Sequence, residues 1–279
     1  MPDLLFGTGG VPLSSEARST ISGINRIREL GLDCMEVEFV QGVTMGETTA
    51  RQVSEEAKKL NVRLSVHAPY FINFNAAEPE KRRASRVRLL QSAHIGALCG
   101  ARNIVFHAAF YLGHEPKEVY EIVKNELSEV LEELRARKID VSLRPEITGK
   151  DTQFGTIEET VKLCQELPGV LPCLDVAHWH ARTGAYNTYD ETIGVLKLIE
   201  SGLGEAGTQD MHIHFSGIAY SKKGEIKHLP IKQSDLNYSE ILRAFKDFKI
   251  KGLVICESPN LEEDAMLLKK SYSALFEKA

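Results

Sequence analysis

Short apolar runs alternate with longer stretches whose apolar positions recur every three or four residues. The runs are LLFGTG from residue 4, CMEVEFV from 34, RLSVHA from 63, NIVFHA from 103, DVSLRPEI from 140, GVLPCLDVAH from 169, DMHIHFSG from 210 and GLVICES from 252. Their length and β-branched content predict buried strands. Between them, Val119, Ile122, Val123, Val130, Leu131 and Leu134 form one apolar stripe of a helix. Similar patterns span 48–60, 82–100, 189–201 and 240–248, and Thr156 with Glu159 predicts a capping box at the start of another helix.

Eight strand–helix units at about 35-residue spacing match the repeat of a (β/α)₈ TIM barrel, an α/β fold, expected here as a single domain over 1–279. An open doubly wound sheet is the rival. No GxGxxG follows the first strand, and no linker or composition shift marks a second domain.

Polar residues gather where the predicted strands end. His67, His107 and Glu146 close the third, fourth and fifth strands. Asp175 and His178 close the sixth, His212 and His214 lie in the seventh, and Glu257 closes the eighth. His228 follows in the loop after the seventh, while His94 and His114 read as solvated. In such a barrel the carboxyl ends of the strands carry the active site. A single histidine at a strand end is ordinarily a hydrogen-bonded structural residue. Six of eight strands contributing His, Asp or Glu at one end is a different matter. Mixed imidazole and carboxylate donors suit zinc, manganese or iron, and there are too many for one tetrahedral ion.

The remaining composition narrows the classes. No run of about 18 apolar residues predicts a membrane span. The opening MPDLLFGTGG lacks the basic region and cleavage site of a secretory leader. Five dispersed cysteines, with no CxxC, read as reduced thiols, so a cytoplasmic location is expected. The net charge of −5 weighs against non-specific nucleic-acid binding, before any bound cation is counted.

The motifs VHAPYFINF, VFHA, PEITGKDTQFGT, LDVAH, HFSG followed by KHLP, and ICESPN together resemble the endonuclease IV family, over nearly the whole chain. These are metal-dependent apurinic/apyrimidinic endonucleases on a TIM barrel that cleave the phosphodiester 5′ to an abasic site with three zinc ions. The resemblance implies a monomer acting on damaged double-stranded DNA, with two or three zinc ions per chain and manganese as the alternative. His67, His107 and Glu146 match the ligands of one ion. Glu146 would bridge to a second, held by Asp175, Glu257 and a seventh-strand histidine. His214 fits the family's His-x-Asn-Asp place better, although MHIHF also aligns by His212. His178 and His228 match ligands of a third ion. Glu146 would orient the attacking hydroxide.

Three departures stand out. The family's aspartate two residues before the last histidine is Ile226 here, with Glu225 beside it as a substitute after a shift of the loop. His180 is an extra histidine, either a replacement ligand or a rim residue facing DNA. The loop FVQGVTMGETT lacks the arginine that enters the base stack in the family, leaving Gln41 and Met45 as wedges. Tyr70 matches an aromatic that packs at the lesion. Lys222, Lys223 and Lys227 would contact phosphates or lie on a solvated loop. Arg82, Arg83, Arg86 and Arg88 read as a basic helix start away from the chemistry. Two other classes stay open. One is a single-ion sugar isomerase or epimerase using Glu146, Asp175, His214 and Glu257. The other is a non-catalytic damaged-DNA binder.

Overall fold

A computed structural model describes residues 4–277; Met1–Asp3 of the opening segment lie outside the described residues. The chain runs β1 (Leu4–Gly9), α1 (Thr20–Glu29), β2 (Cys34–Glu38), α2 (Glu47–Leu60), β3 (Arg63–His67), α3 (Pro79–Cys99), β4 (Asn103–Phe106), α4 (Pro116–Ala136), β5 (Ser142–Pro145) and α5 (Ile157–Glu166). It continues β6 (Cys173–Asp175), α6 (Val176–Thr183), α7 (Tyr189–Leu203), α8 (Ala206–Gln209), β7 (Met211–Phe215), β8 (Gly217–Ser221), β9 (Gly224–Leu229), α9 (Tyr238–Phe248), β10 (Gly252–Cys256) and α10 (Glu262–Glu277). Among the described residues, eight strands form one sheet in the order β5-β4-β3-β2-β1-β10-β7-β6, the strand sequence of a (β/α)₈ barrel. β8 and β9 form a separate antiparallel pair. None of the described helices is long and apolar enough to cross a membrane.

The packing falls into two compact units. One comprises Glu36–Thr148 and Thr152–Pro172. In it β3, β4 and β5 pair in parallel, with Val66 opposite Ile104 and Ile104 opposite Leu143. Helix α4 buries Val119, Val123, Val130, Leu131 and Leu134 of the predicted stripe, and Leu127 with them. Ile122 of that stripe is only half-buried. The predicted capping box opens α5: Glu159 N donates to Thr156 Oγ1 at 3.2 Å, and Thr156 N to Glu159 Oε2 at 3.0 Å.

The other unit comprises Met1–Met35, Gly149–Asp151 and Cys173–Ala279. Here β1, β10, β7 and β6 lie in register, with Gly7 opposite Ile255, Ile255 opposite His214 and His214 opposite Asp175. Gly7 is required by close approach: a Cβ there would overlap the Cys34 carbonyl oxygen. Gly7→Ala should therefore cost about 3 kcal/mol or more, read as a lowered melting temperature. An unchanged melt would mean that β1 and β2 can separate without penalty.

Two segments depart from expectation. The sixth strand, expected to run to His178, stops at Asp175. The Asp175 side chain accepts the His178 amide and so caps α6, which places His178 in a helix's first turn. The segment expected as a loop carrying His228 is the β8–β9 hairpin, turning at Gly224 with φ 89°. Its register shifts between Ala219 and Tyr220: Ala219 faces Lys227 while Tyr220 faces Glu225. Ile226 is thus the extra residue of a β-bulge.

Candidate metal centre

The unit of β3, β4 and β5 brings together His67, His107 and Glu146. Glu146 Oε2 lies 3.1 Å from His67 Nε2 and 3.0 Å from His107 Nε2. Glu146 and His67 are buried, His107 partly so. The other nitrogen of His67, Nδ1, donates to the Ala68 carbonyl at 2.7 Å, so Nε2 is the atom presented to the cluster. Burial acts to lower the His67 pKa. The hydrogen bond to Glu146 and the charges of Glu38, Glu146 and Glu36 outweigh it, raising the pKa to about 9. A cation entering here would displace that proton.

Glu36 and Glu38 belong to this surrounding, although the strand-end pattern does not single them out. Ser65 Oγ donates to buried Glu36 at 2.6 Å, and Phe39 N donates to the His67 carbonyl at 2.9 Å. Strand side chains alternate, so Glu38 shares a face with Glu36 one layer up, beside His67. The signal is two acids two residues apart within CMEVEFV.

Tyr70, 49% exposed, stands over both imidazoles with ring centroids 5.0 Å from His67 and 5.5 Å from His107. Its neighbour Phe71, in the same VHAPYFINF motif, is 56% exposed. Gln41 is exposed. Met45 is not a wedge: its Sδ meets Cys99 Sγ at 3.5 Å, because the chain turns back there to cover α3. His94 is not simply solvated, since it pairs with Glu47 at 2.9 Å. His114 meets Asn75 Oδ1 at 3.2 Å. Arg86 pairs with Glu126 and Glu129 of α4.

The other unit carries the remaining candidate ligands. His214 Nδ1 is 3.4 Å from Glu257 Oε1 and 3.9 Å from Asp175 Oδ2. His212 lies one layer deeper, opposite Cys173 in the register, and is fully buried. Of the two histidines it is His214 that meets the carboxylates, although ligand atoms of Cys173, His212 and His214 also lie within 4.8 Å of one another.

Asp175 serves a second cluster as well. Its Oδ1 accepts the His178 amide at 2.6 Å, and its Oδ2 faces His178 Nδ1 at 3.2 Å. His228 Nδ1 donates to the Glu257 carbonyl at 3.2 Å. The Glu257 carbonyl holds the His228 proton on Nδ1, and the charge of the Asp175 carboxylate favours the same tautomer at His178. The two Nε2 atoms then face each other at 3.3 Å, with Glu225 Oε2 3.4 Å from His178 Nε2. The bulge explains the third member. In a regular strand Glu225 and His228 would point to opposite faces; the extra residue puts both on one face and leaves Ile226 60% exposed. Two imidazole lone pairs and a carboxylate repel one another unless a proton or a cation lies among them. Two nitrogens and one oxygen are donors that suit zinc, and ligand atoms of Asp175, His178 and His228 also lie within 4.8 Å of one another.

His180 is no substitute ligand. Its Nδ1 meets the Ala185 carbonyl at 2.6 Å and its Nε2 meets Asp235 Oδ1 at 3.3 Å, so both nitrogens are held elsewhere. Lys222, Lys223 and Lys227 lie exposed on the hairpin. Gly149 packs against the cluster: a Cβ there would stand 2.8 Å from Glu225 Cβ and 3.1 Å from His178 Cδ2. Gly149→Ala should push Glu225 away and weaken zinc binding at this cluster about tenfold. A zinc titration indistinguishable from wild type would remove Glu225 from the site.

Relatives and solved structures match most of the chain. An uncharacterized protein of Methanocaldococcus jannaschii is 45% identical over 273 residues, 98% of each chain. A probable endonuclease 4 of Shouchella clausii is 29% identical over 208 residues, covering 71% of this chain and 68% of that protein. Two crystal structures share the fold. Endonuclease IV of Thermus thermophilus has a TM-score of 0.76 at 20% identity, covering 98% of this chain and 100% of that one. A D-tagatose 3-epimerase-like protein has a TM-score of 0.70 at 18% identity, covering 97% and 99%. With a family match over residues 24–275, the chain belongs to the xylose isomerase-like TIM barrel family.

Proposed function

We infer that this protein is a metal-dependent endonuclease that hydrolyses the DNA phosphodiester on the 5′ side of an abasic site, using two or three zinc ions. The observation that carries this reading is the approach of His228 Nε2 at 3.3 Å and Glu225 Oε2 at 3.4 Å to His178 Nε2, beyond the ligands a one-ion enzyme needs. His67 and His107, beside Glu146, are likewise surplus to a one-ion enzyme. The endonuclease 4 relatives, though distant, point the same way.

Divalent ions held there would supply Lewis acidity for the phosphate oxygens and a nucleophile near neutral pH. The chain's own residues supply the rest. Glu146, held by two imidazoles, orients the attacking oxygen and accepts its proton. His67 and His107 anchor the first ion. His214, Asp175 and Glu257 hold the second. His178, His228 and Glu225 would hold the third, which would supply positive charge to the phosphate's non-bridging oxygens. Tyr70 presents a flat, half-exposed ring at the rim, where a nucleotide leaving the stack would pack; extrusion costs least at an abasic site. Gln41 enters the groove beside it, and Lys222, Lys223 and Lys227 contact backbone phosphates. The partner is damaged double-stranded DNA, the working form a monomer, and the compartment a reducing cytoplasm that suits free cysteines.

A one-ion sugar epimerase is the second reading, favoured by the epimerase-like structural neighbours and by the missing arginine in the loop after β2. Metal analysis of the purified protein separates the two. The endonuclease reading expects two or three zinc ions per chain. One ion per chain, with proton exchange beside a ketose carbonyl, would establish the epimerase.

A further inference from the structure

We propose that Asp235, together with His180 and Tyr220, forms a positioning network that holds Glu225 and His228 against His178 and so sets the affinity of the third ion. The proposal rests on the metal-centre reading above. It assigns a role to His180, which that reading leaves unused.

The third cluster is assembled from two separate elements. His178 stands on α6, whereas Glu225 and His228 stand on β9 of the hairpin. A two-stranded hairpin is marginal by itself, so its seat on α6 needs a tether. Part of that tether is apolar: Ile218 and Tyr220 of β8 pack against Ala177 and Ala181 of α6. Such contacts are non-directional and fix the seat without fixing rotation about it.

Asp235 supplies the direction. One carboxylate oxygen meets His180 Nε2 at 3.3 Å, on α6 two residues past His178. The other accepts the Tyr220 hydroxyl at 2.7 Å, on β8 directly opposite Glu225 at the bulge. A single carboxylate therefore joins the helix carrying one ligand to the strand facing the other. The backbone that carries this carboxylate is pinned as well. Asn187 Nδ2 donates to the Asp235 carbonyl at 2.8 Å, and Asn237 N donates to Asn187 Oδ1. His180 is fixed too, being 2% exposed, with Nδ1 on the Ala185 carbonyl and its ring edge-on to Tyr220 at 4.9 Å. A carboxylate bonded to both elements, 57% exposed at its rim and beside but not among the ligands, matches how outer partners hold ligating groups in place.

The test is a zinc titration of chelator-stripped full-length protein against a chromophoric competitor, comparing wild type, Tyr220→Phe, Asp235→Ala and His228→Ala. Tyr220→Phe keeps the packing on Ala177 and Ala181 and removes only the hydroxyl, so it stays informative if Asp235→Ala folds poorly. The proposal expects the ion that His228→Ala abolishes to bind about 10- to 100-fold more weakly in Tyr220→Phe and Asp235→Ala, with the other ions unchanged. Wild-type affinity in both variants would overturn it. Equal weakening of every ion would also overturn it, by showing a general structural role. If no wild-type ion depends on His228, the metal-centre reading itself fails, a separate outcome visible in the His228→Ala arm.

Discussion

Glu146→Gln should abolish cleavage of an abasic-site duplex, lowering kcat/KM by about 10³-fold or more, while the zinc-loaded protein keeps its fold. The expectation follows from how Glu146 is held. Its Oε2 takes both His67 Nε2 and His107 Nε2 within 3.1 Å, and the side chain is only 2% exposed. Glutamine fills the same space, so the core around it has no reason to collapse. It loses the negative charge that draws a cation between the imidazoles and the basicity that takes a proton from water. Its amide nitrogen would also face a ring nitrogen in the direction of the ion. Cleavage kinetics at saturating zinc, with circular dichroism as the control, check this. A fully active variant would remove Glu146 from the chemistry.

Asp175→Asn should have the next largest effect, weakening two ions at once and lowering activity about 10²-fold or more. Asp175 Oδ1 caps α6 through the His178 amide, and its Oδ2 faces His178 Nδ1 at 3.2 Å and His214 Nδ1 at 3.9 Å. Asparagine caps helices about as well as aspartate, so the metal-free fold should be nearly unperturbed. Its amide, however, turns donors toward the Nδ1 proton of His178, the proton that keeps Nε2 available to an ion. Asp175→Ala should lose the cap as well, costing about 1 kcal/mol more in the metal-free protein. Thermal melts with and without zinc separate the two contributions. If Asp175→Asn binds zinc like wild type, Asp175 is a capping residue and nothing more.

Much of this site is legible in the sequence because strand ends mark it. His67, His107, Glu146, Asp175 and Glu257 each interrupt or close an apolar run, and burial of a polar group calls for a partner. The choice of His214 over His212 depends on register, since both share a strand face; only pairing with Asp175 and Ile255 separates the layers. The start of α6 is hidden because Asp175 reads equally as a strand residue and as a helix cap. The β8–β9 hairpin is hidden although KKG sits between two alternating runs, and its bulge has no local signature at all. The bulge is stabilised from a distance: Glu225 N donates to the Gly149 carbonyl at 3.0 Å, and Gly224 approaches that same carbonyl too closely for any side chain. His180 cannot be placed from sequence for the same reason, as one of its partners, Asp235, lies 55 residues away.

If these imidazoles and carboxylates hold catalytic ions, the protein should hydrolyse the phosphodiester at a damaged site. The most direct measurement is incubation of metal-replete protein with an end-labelled duplex containing one abasic site, with chelator, without it, and after zinc is restored. The account predicts a single cut on the 5′ side of the abasic site, lost with chelator and recovered with zinc. An intact duplex, with protein carrying two or more ions per chain, would contradict it.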